Sequence, residues 1–189
     1  MNKVISVGSQ FPQFSKIACV TVDAKAPGEE FATLTNASLE GQWTVMFWWP
    51  KDFTFVCPTE IAAFNDAYDE FADRDTKLIG ASTDSEYVHL AWRNNEPKLA
   101  GLKFPMLADT SKSLAEELGV LEANEKVAYR ATFIIDPQGI IRWVNVNDLS
   151  VGRNVEEVIR VLDALQTDEL CPCNWKKGET TLSQELAAN

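Results

Sequence analysis

The chain has 189 residues, 46% of them hydrophobic, with 17 Lys and Arg against 28 Asp and Glu for a formal charge of −11. That is enough apolar material for one ordinary domain with a sizeable core. The acidity argues against general binding to nucleic acid or anionic membrane, both of which need a cationic face, and no apolar run approaches the ~20 residues of a membrane-spanning helix. The opening Met-Asn-Lys-Val-Ile-Ser-Val-Gly has no long apolar stretch of the kind a secretory leader carries, so a cytoplasmic protein is expected. Four cysteines in a chain of this size read as thiols kept available for chemistry, not as the disulfide frame of a small secreted scaffold.

Residues 14–22 and 31–35 read as short strands around a turn at Lys25-Ala-Pro-Gly28. Trp43-Thr-Val-Met-Phe-Trp-Trp49 is β-branched and aromatic enough for a buried strand, which Pro50 ends. From Pro58 onward, Ile61, Phe64, Tyr68 and Phe71 recur at three- and four-residue spacing and mark one helical face. Residues 77–83 follow as a strand, and 85–95 as a helix capped by Asp84 or Ser85. The stretch 97–109 is loop-like with an extended piece at 104–107, and 111–118 is helical, stopped by Gly119. Residues 131–135 and 140–146 make a hairpin around Asp136-Pro-Gln-Gly139, and Asn154 caps a helix whose buried face is Val155, Val158, Ile159, Leu162 and Leu165. There is no internal repeat, low-complexity segment or linker. We expect one α/β domain over 1–167 and, over 168–189, a mobile tail of the same domain.

Cys57 lies where the apolar strand gives way to the helix, in Phe53-Thr-Phe-Val-Cys57-Pro58-Thr59-Glu60. Pro suits the first helical turn, so the sulfur is expected to face free backbone donors and the positive end of the helix dipole. An ordinary thiol is only about 3% ionised at pH 7, and such surroundings can raise thiolate about thirtyfold. The accompanying loss of nucleophilicity returns about one decade of that gain. The remaining rate has to come from donors or cations that stabilise charge on the departing atom of a substrate. Thr54 is one candidate.

Pro50-x-x-x-Thr54-x-x-Cys57 resembles the active-site signature of the peroxiredoxins. FWWPKDFTFVCPTEI at 47–61, STDSEYVHLAW at 82–92, FPMLAD at 104–109, RATFIID at 130–136 and VGRNVEEVIRVLDAL at 151–165 are similar to the alkyl hydroperoxide reductase C (AhpC) group of typical two-cysteine peroxiredoxins. With Leu170-Cys171-Pro-Cys173-Asn-Trp175, the resemblance spans nearly the whole chain. It implies a thioredoxin-like fold, a central mixed sheet flanked by helices with an N-terminal extension, and the order of elements fits it. It implies that Cys57 is the peroxidatic cysteine that takes an oxygen from a hydroperoxide, that Thr54 holds the peroxide, and that Pro50 shields the thiolate. Arg130 is implied to steady the breaking O–O bond, with Glu60 orienting it. Cys171 is implied to be the resolving cysteine, supplied by the partner subunit of a homodimer that assembles into a ring, and Cys173 an added thiol seen in a bacterial subset. No metal or organic cofactor is implied. The implied electron donor is thioredoxin, a flavoprotein reductase or a small alkylhydroperoxidase D-like thiol reductase. Gly119-Val-Leu-Glu122 and a tail without Tyr or Phe depart from members sensitive to overoxidation, which implies resistance.

The other reactive side chains have plainer readings. Cys19 fits an alternating strand as a small buried residue. His89 lies within a predicted helix, where packing or a structural hydrogen bond explains it better than hydrolase chemistry. Cys171 and Cys173 lack the second ligand pair a structural zinc needs. Arg153 is open between a structural role and a second cation beside Arg130, and Trp92 and Trp175 read as packing groups. A disulfide oxidoreductase of the Cys-x-x-Cys kind is disfavoured by Glu60, three residues after Cys57 where the second thiol would stand. An oligomeric holdase chaperone is the alternative of a different class, as a secondary activity.

Overall fold

The run Trp43–Trp48 forms strand β3, and every residue after Trp43 is fully buried, as befits a strand covered on both faces. This is a computed structural model that describes residues 5–99 and 101–188; expectations resting on residues 1–4, Ala100 and Asn189 lie outside it. Around β3 stand β1 (Ser15–Cys19), β2 (Phe31–Thr35), β4 (Thr76–Ser82), β5 (Met106–Ala108), β6 (Arg130–Ile135) and β7 (Ile141–Asn147). They form one sheet in the order β2-β1-β5-β4-β3-β6-β7. It is mixed: β3, β4 and β5 run parallel, and β1 with β2 and β5, β3 with β6, and β6 with β7 pair antiparallel. The parallel pairs need helical crossovers, supplied by α1 (Cys57–Asp66) with α2 (Tyr68–Ala72), and by α3 (Glu86–Asn95). The fold is thioredoxin-like, as expected.

Alternation along β3 divides the core. Met46 and Trp48 join Phe11, Phe133, Ile135 and Leu118 in the larger cluster. Phe47 points the other way and stacks on Phe64 of α1, ring centroids 3.9 Å apart and 13° from parallel. This contact ties α1 to the centre of the sheet and thereby fixes where its first residue, Cys57, sits.

Several elements differ from the sequence expectation. The helical face running from Ile61 to Phe71 is interrupted at Ala67, whose ψ of 5° leaves the helical range and separates α1 from α2. Of the two candidate caps for α3, Ser85 serves, its Oγ accepting from Val88 N at 3.3 Å. Asp84 instead accepts from the Asp52 amide at 2.8 Å. The helix expected over 111–118 shortens to α4 (Ser113–Glu117), because Lys112 is left-handed (φ 61°) and the buried Asp109 carboxylate takes the amides of Leu114 and Ala115 at 3.3 and 2.8 Å. The β6–β7 hairpin turns where expected: Asp136 Oδ1 accepts from Gln138 N and Ile140 N, and Gly139 takes φ 79°.

Two compact units emerge, one ending at Arg153 and the other beginning at Asn154. The division falls before α5 (Val155–Thr167), ahead of the boundary at 167 expected from sequence. Asn154 caps α5 as expected, its Oδ1 accepting from Glu157 N at 3.2 Å. The second unit also holds a short helix absent from the sequence expectation, α6 (Leu182–Ala187), capped by Thr181 Oγ1 accepting from Gln184 N at 3.3 Å. The pattern Thr181-x-x-Gln184 was the available signal.

Candidate active site

Cys57 is the first residue of α1 and has no exposed surface. Its sulfur is nonetheless met by polar groups: Thr54 Oγ1 lies 2.9 Å from Sγ, and Arg130 Nη1 donates to it at 3.4 Å. The Thr54 hydroxyl also lies 2.9 Å from the Lys51 carbonyl, and with one hydrogen it can donate to only one of the two at a time. Arg130 opens β6. Its Nε donates to Leu149 O at 2.7 Å and its Nη1 to Glu60 Oε2 at 2.5 Å, so the guanidinium is held from both sides beside the sulfur.

Glu60 is buried one helical turn beyond Cys57 and bridges two arginines. Its Oε1 accepts from the amide of Arg153 at 3.0 Å and from Arg153 Nε at 2.8 Å. Arg153 in turn donates through Nη1 to Trp48 O and Ala131 O at 2.7 and 2.8 Å, and lies over the rings of Phe47 and Phe64. Burial holds its guanidinium below the ordinary arginine value, and the Glu60 carboxylate opposes that shift. Arg153 thus locks the ends of β3 and β6 to the first turn of α1 and brings a second positive charge to the site. Pro50 is buried immediately beyond β3.

The loop carrying Thr54 rests on residues that the sequence did not single out for this task. Trp49 Nε1 donates to Asp52 Oδ1 at 2.7 Å, and Asp52 Oδ2 lies 2.7 Å from His89 Nδ1. His89 Nε2 is 3.3 Å from Leu107 O. All three side chains are buried. They fasten the loop to α3 and β5, and the left-handed Phe53 (φ 55°) turns the chain back toward Thr54 and Cys57. Burial raises the Asp52 carboxyl above the ordinary aspartate value, with the His89 bond pulling it the other way. An acidic residue beside the signature threonine, together with the only histidine of the chain, was the signal for this pair. Phe53 and Phe55 stand exposed on the rim of the loop.

Cys19 is buried in β1, where Arg93 Nη1 donates to its carbonyl at 3.1 Å and approaches its sulfur at 3.9 Å. Trp92 and Trp175 are buried. In the second unit Cys171 is half-buried, its sulfur 3.4 Å from Thr167 Oγ1 and 3.8 Å from Ala164 O, and Cys173 is exposed. Trp175 Nε1 donates to Glu179 O at 2.9 Å, and Leu182 N to Leu170 O at 2.9 Å, which closes the chain around the two thiols. All four cysteines are free.

A thioredoxin-like sheet that presents one cysteine at a helix start, with a hydroxyl and a guanidinium aimed at its sulfur, defines a thiol-based redox enzyme. The model of the AhpC/TSA family matches residues 7–144. Alkyl hydroperoxide reductase C of Mycobacterium tuberculosis is 52% identical over 184 residues, covering 95% of this chain and 94% of that protein. A thioredoxin peroxidase of Trypanosoma brucei rhodesiense is 45% identical, covering 92% and 88%. Among solved structures, Mycobacterium tuberculosis AhpC superposes with a TM-score of 0.84 at 51% identity, covering 92% of this chain and all of that one. The reduced 2-Cys peroxiredoxin of Plasmodium vivax gives 0.86 at 33%, covering 96% and 98%. The chain belongs to the AhpC/TSA family. No described helix is long and apolar enough to cross a membrane.

Proposed function

We propose that this chain reduces hydrogen peroxide and organic hydroperoxides by a two-cysteine cycle that begins at Cys57. Membership of the family makes it a thiol peroxidase; the residue roles below are our own reading. The observation that carries them is the convergence of Thr54 Oγ1 and Arg130 Nη1 on one buried sulfur. The Cys57 thiolate attacks the terminal oxygen of the hydroperoxide; an S–O bond forms, the O–O bond breaks, and the leaving oxygen takes a proton from solvent and departs as water or an alcohol. Thr54, donating to Lys51 O, keeps its lone pairs free to accept a hydrogen bond from the O–H of the bound peroxide. Arg130, steadied by Glu60 and Leu149 O, places positive charge where the leaving oxygen becomes negative. Pro50 closes the pocket against water.

The resulting sulfenic acid condenses with Cys171 of a partner subunit, forming a disulfide and releasing water, which protects Cys57 from irreversible oxidation. A thiol reductant then restores both cysteines, with Cys173 as the secondary thiol facing it. We place this activity in peroxide defence in the cytoplasm, in a homodimer that builds rings. The test is peroxide turnover and non-reducing electrophoresis of single serine variants. Cys57→Ser is expected to consume no peroxide. Cys171→Ser is expected to consume about one equivalent and stop without a disulfide-linked dimer, and Cys173→Ser to retain the dimer. Turnover by Cys57→Ser, or a normal linked dimer from Cys171→Ser, would refute the assignment.

A further inference from the structure

The tail thiols have a cation of their own. Arg160 lies on α5 and lines, with Cys171 and Cys173, a concavity of about 640 Å³ whose walls include Val161, Leu165 and Leu182. Its fork is anchored along one edge: Nε donates to Glu157 Oε2 at 2.6 Å and Nη2 to Glu157 Oε1 at 2.8 Å. The remaining nitrogen, Nη1, donates at 3.1 Å to the carbonyl of Trp175, the residue that closes the Cys171–Trp175 turn. The Nη1 edge, away from the carboxylate partner, therefore reaches the backbone at the end of the thiol-bearing loop. The bond to Glu157 raises its pKa above the ordinary arginine value, with burial pulling the other way. Glu157 is held below the ordinary glutamate value by the same pairing.

We propose that Arg160 is a positioning and charge-stabilising residue for the reductive half of the cycle, lending positive charge to the concavity that it shares with Cys171 and Cys173. This rests on the reading of Cys171 as the resolving thiol. When a donor dithiol opens the disulfide, one donor thiolate attacks a sulfur, a mixed disulfide forms and the S–S bond breaks. The electron pair departs on the other sulfur, which takes its proton from solvent; the second donor thiolate then attacks the donor sulfur of the mixed disulfide, forming the donor's own disulfide and releasing the remaining protein sulfur, which is protonated in turn. Where the departing sulfur belongs to the tail, its negative charge develops in the concavity that Arg160 lines. A guanidinium already held by Glu157 and Trp175 O keeps its charge at that concavity without rearrangement. The same side chain has a second duty, since its bond to Trp175 O keeps the thiol loop close to α5.

The test separates charge from packing. Full-length protein is oxidised with one equivalent of peroxide, and reduction of its disulfide by dithiothreitol is followed in rapid mixing for wild type, Arg160→Met and Arg160→Lys at low and high salt. Arg160→Met is expected to slow reduction about three- to tenfold at low salt, with the deficit shrinking at high salt as the field is screened. Arg160→Lys, which keeps the charge but loses the fork, is expected to stay within about twofold of wild type. The first step, peroxide attack at Cys57, is expected to be unchanged in both. Equal slowing in Met and Lys variants, or no slowing in either, overturns the proposal while leaving the Cys171 assignment standing. A failure of that assignment shows separately, as a linked dimer formed by Cys171→Ser.

Discussion

Replacing Glu60 with Gln tests the energetics of the catalytic cluster. The carboxylate is 4% exposed and is the charge partner of two buried guanidiniums, Arg130 at 2.5 Å and Arg153 at 2.8 Å. Removing one member of a buried ionic network costs about 3–5 kcal/mol, because the partners stay buried without compensation. Gln keeps the shape and one acceptor oxygen, so a loss near the lower end, about 3 kcal/mol, is expected. For a chain of this size each kcal/mol moves the midpoint by ~2–4 °C, so the melting temperature falls by about 6–12 °C. The rate falls as well: Arg130 keeps Leu149 O but loses the contact that sets its fork beside Cys57, and misplacement of that order costs roughly 10- to 100-fold. Thermal unfolding of the reduced protein and single-turnover peroxide reduction read the two effects. A Glu60→Gln protein within about 1 kcal/mol of wild type, with unchanged rate, would show that the arginines do not depend on this carboxylate and would refute the reasoning.

Two further outcomes are expected. Thr54→Val removes the hydroxyl 2.9 Å from Sγ while keeping the β-branched shape, so initial peroxide rates should fall by about 10²–10³ while Thr54→Ser retains most activity. Burial raises the Cys19 thiol above its ordinary value, so the unfolded chain ionises there first; this group's contribution to stability is full below about pH 8.5 and is lost as pH rises through the folded value. Denaturant curves from about pH 8 to 10 should therefore fall more steeply for wild type than for Cys19→Ala, by at most about 1.4 kcal/mol per pH unit, and parallel curves would remove the effect.

The sheet was legible because its signals are local. The Trp43–Trp48 run, the Asp136 to Gly139 turn and the apolar spacing along α5 each announce one element with little help from the rest of the fold. Boundaries were less so: α4 starts late because the upstream Asp109 carboxylate takes its first amides, a tertiary choice that no propensity encodes. In the site, Cys57, Thr54 and Arg130 were marked by spacing and resemblance. His89 was read as a structural hydrogen-bonding residue, but its partner was not, because Asp52 lies 37 positions away and the two meet only where α3 packs against the loop. Arg153 could be read as a charge but not as the clasp between Trp48 O, Ala131 O and Glu60. Arg160 looks in sequence like any solvent-facing member of an amphipathic helix.

Thr54 is close to Cys57 in sequence, but the guanidiniums gathered at its helix turn are not: Arg130 is 73 residues on, and Arg153 stands 93 beyond Glu60. A ribosome that has delivered only the first half of the chain has released a cysteine with none of its distant companions. On the roles proposed for Cys57 and Arg130, reactivity toward oxidant then arrives with the last strands of the sheet, late in synthesis. On the same reading the separation links damage to silence, since any insult that parts β6 from α1 disarms the thiol before the protein has fully come undone.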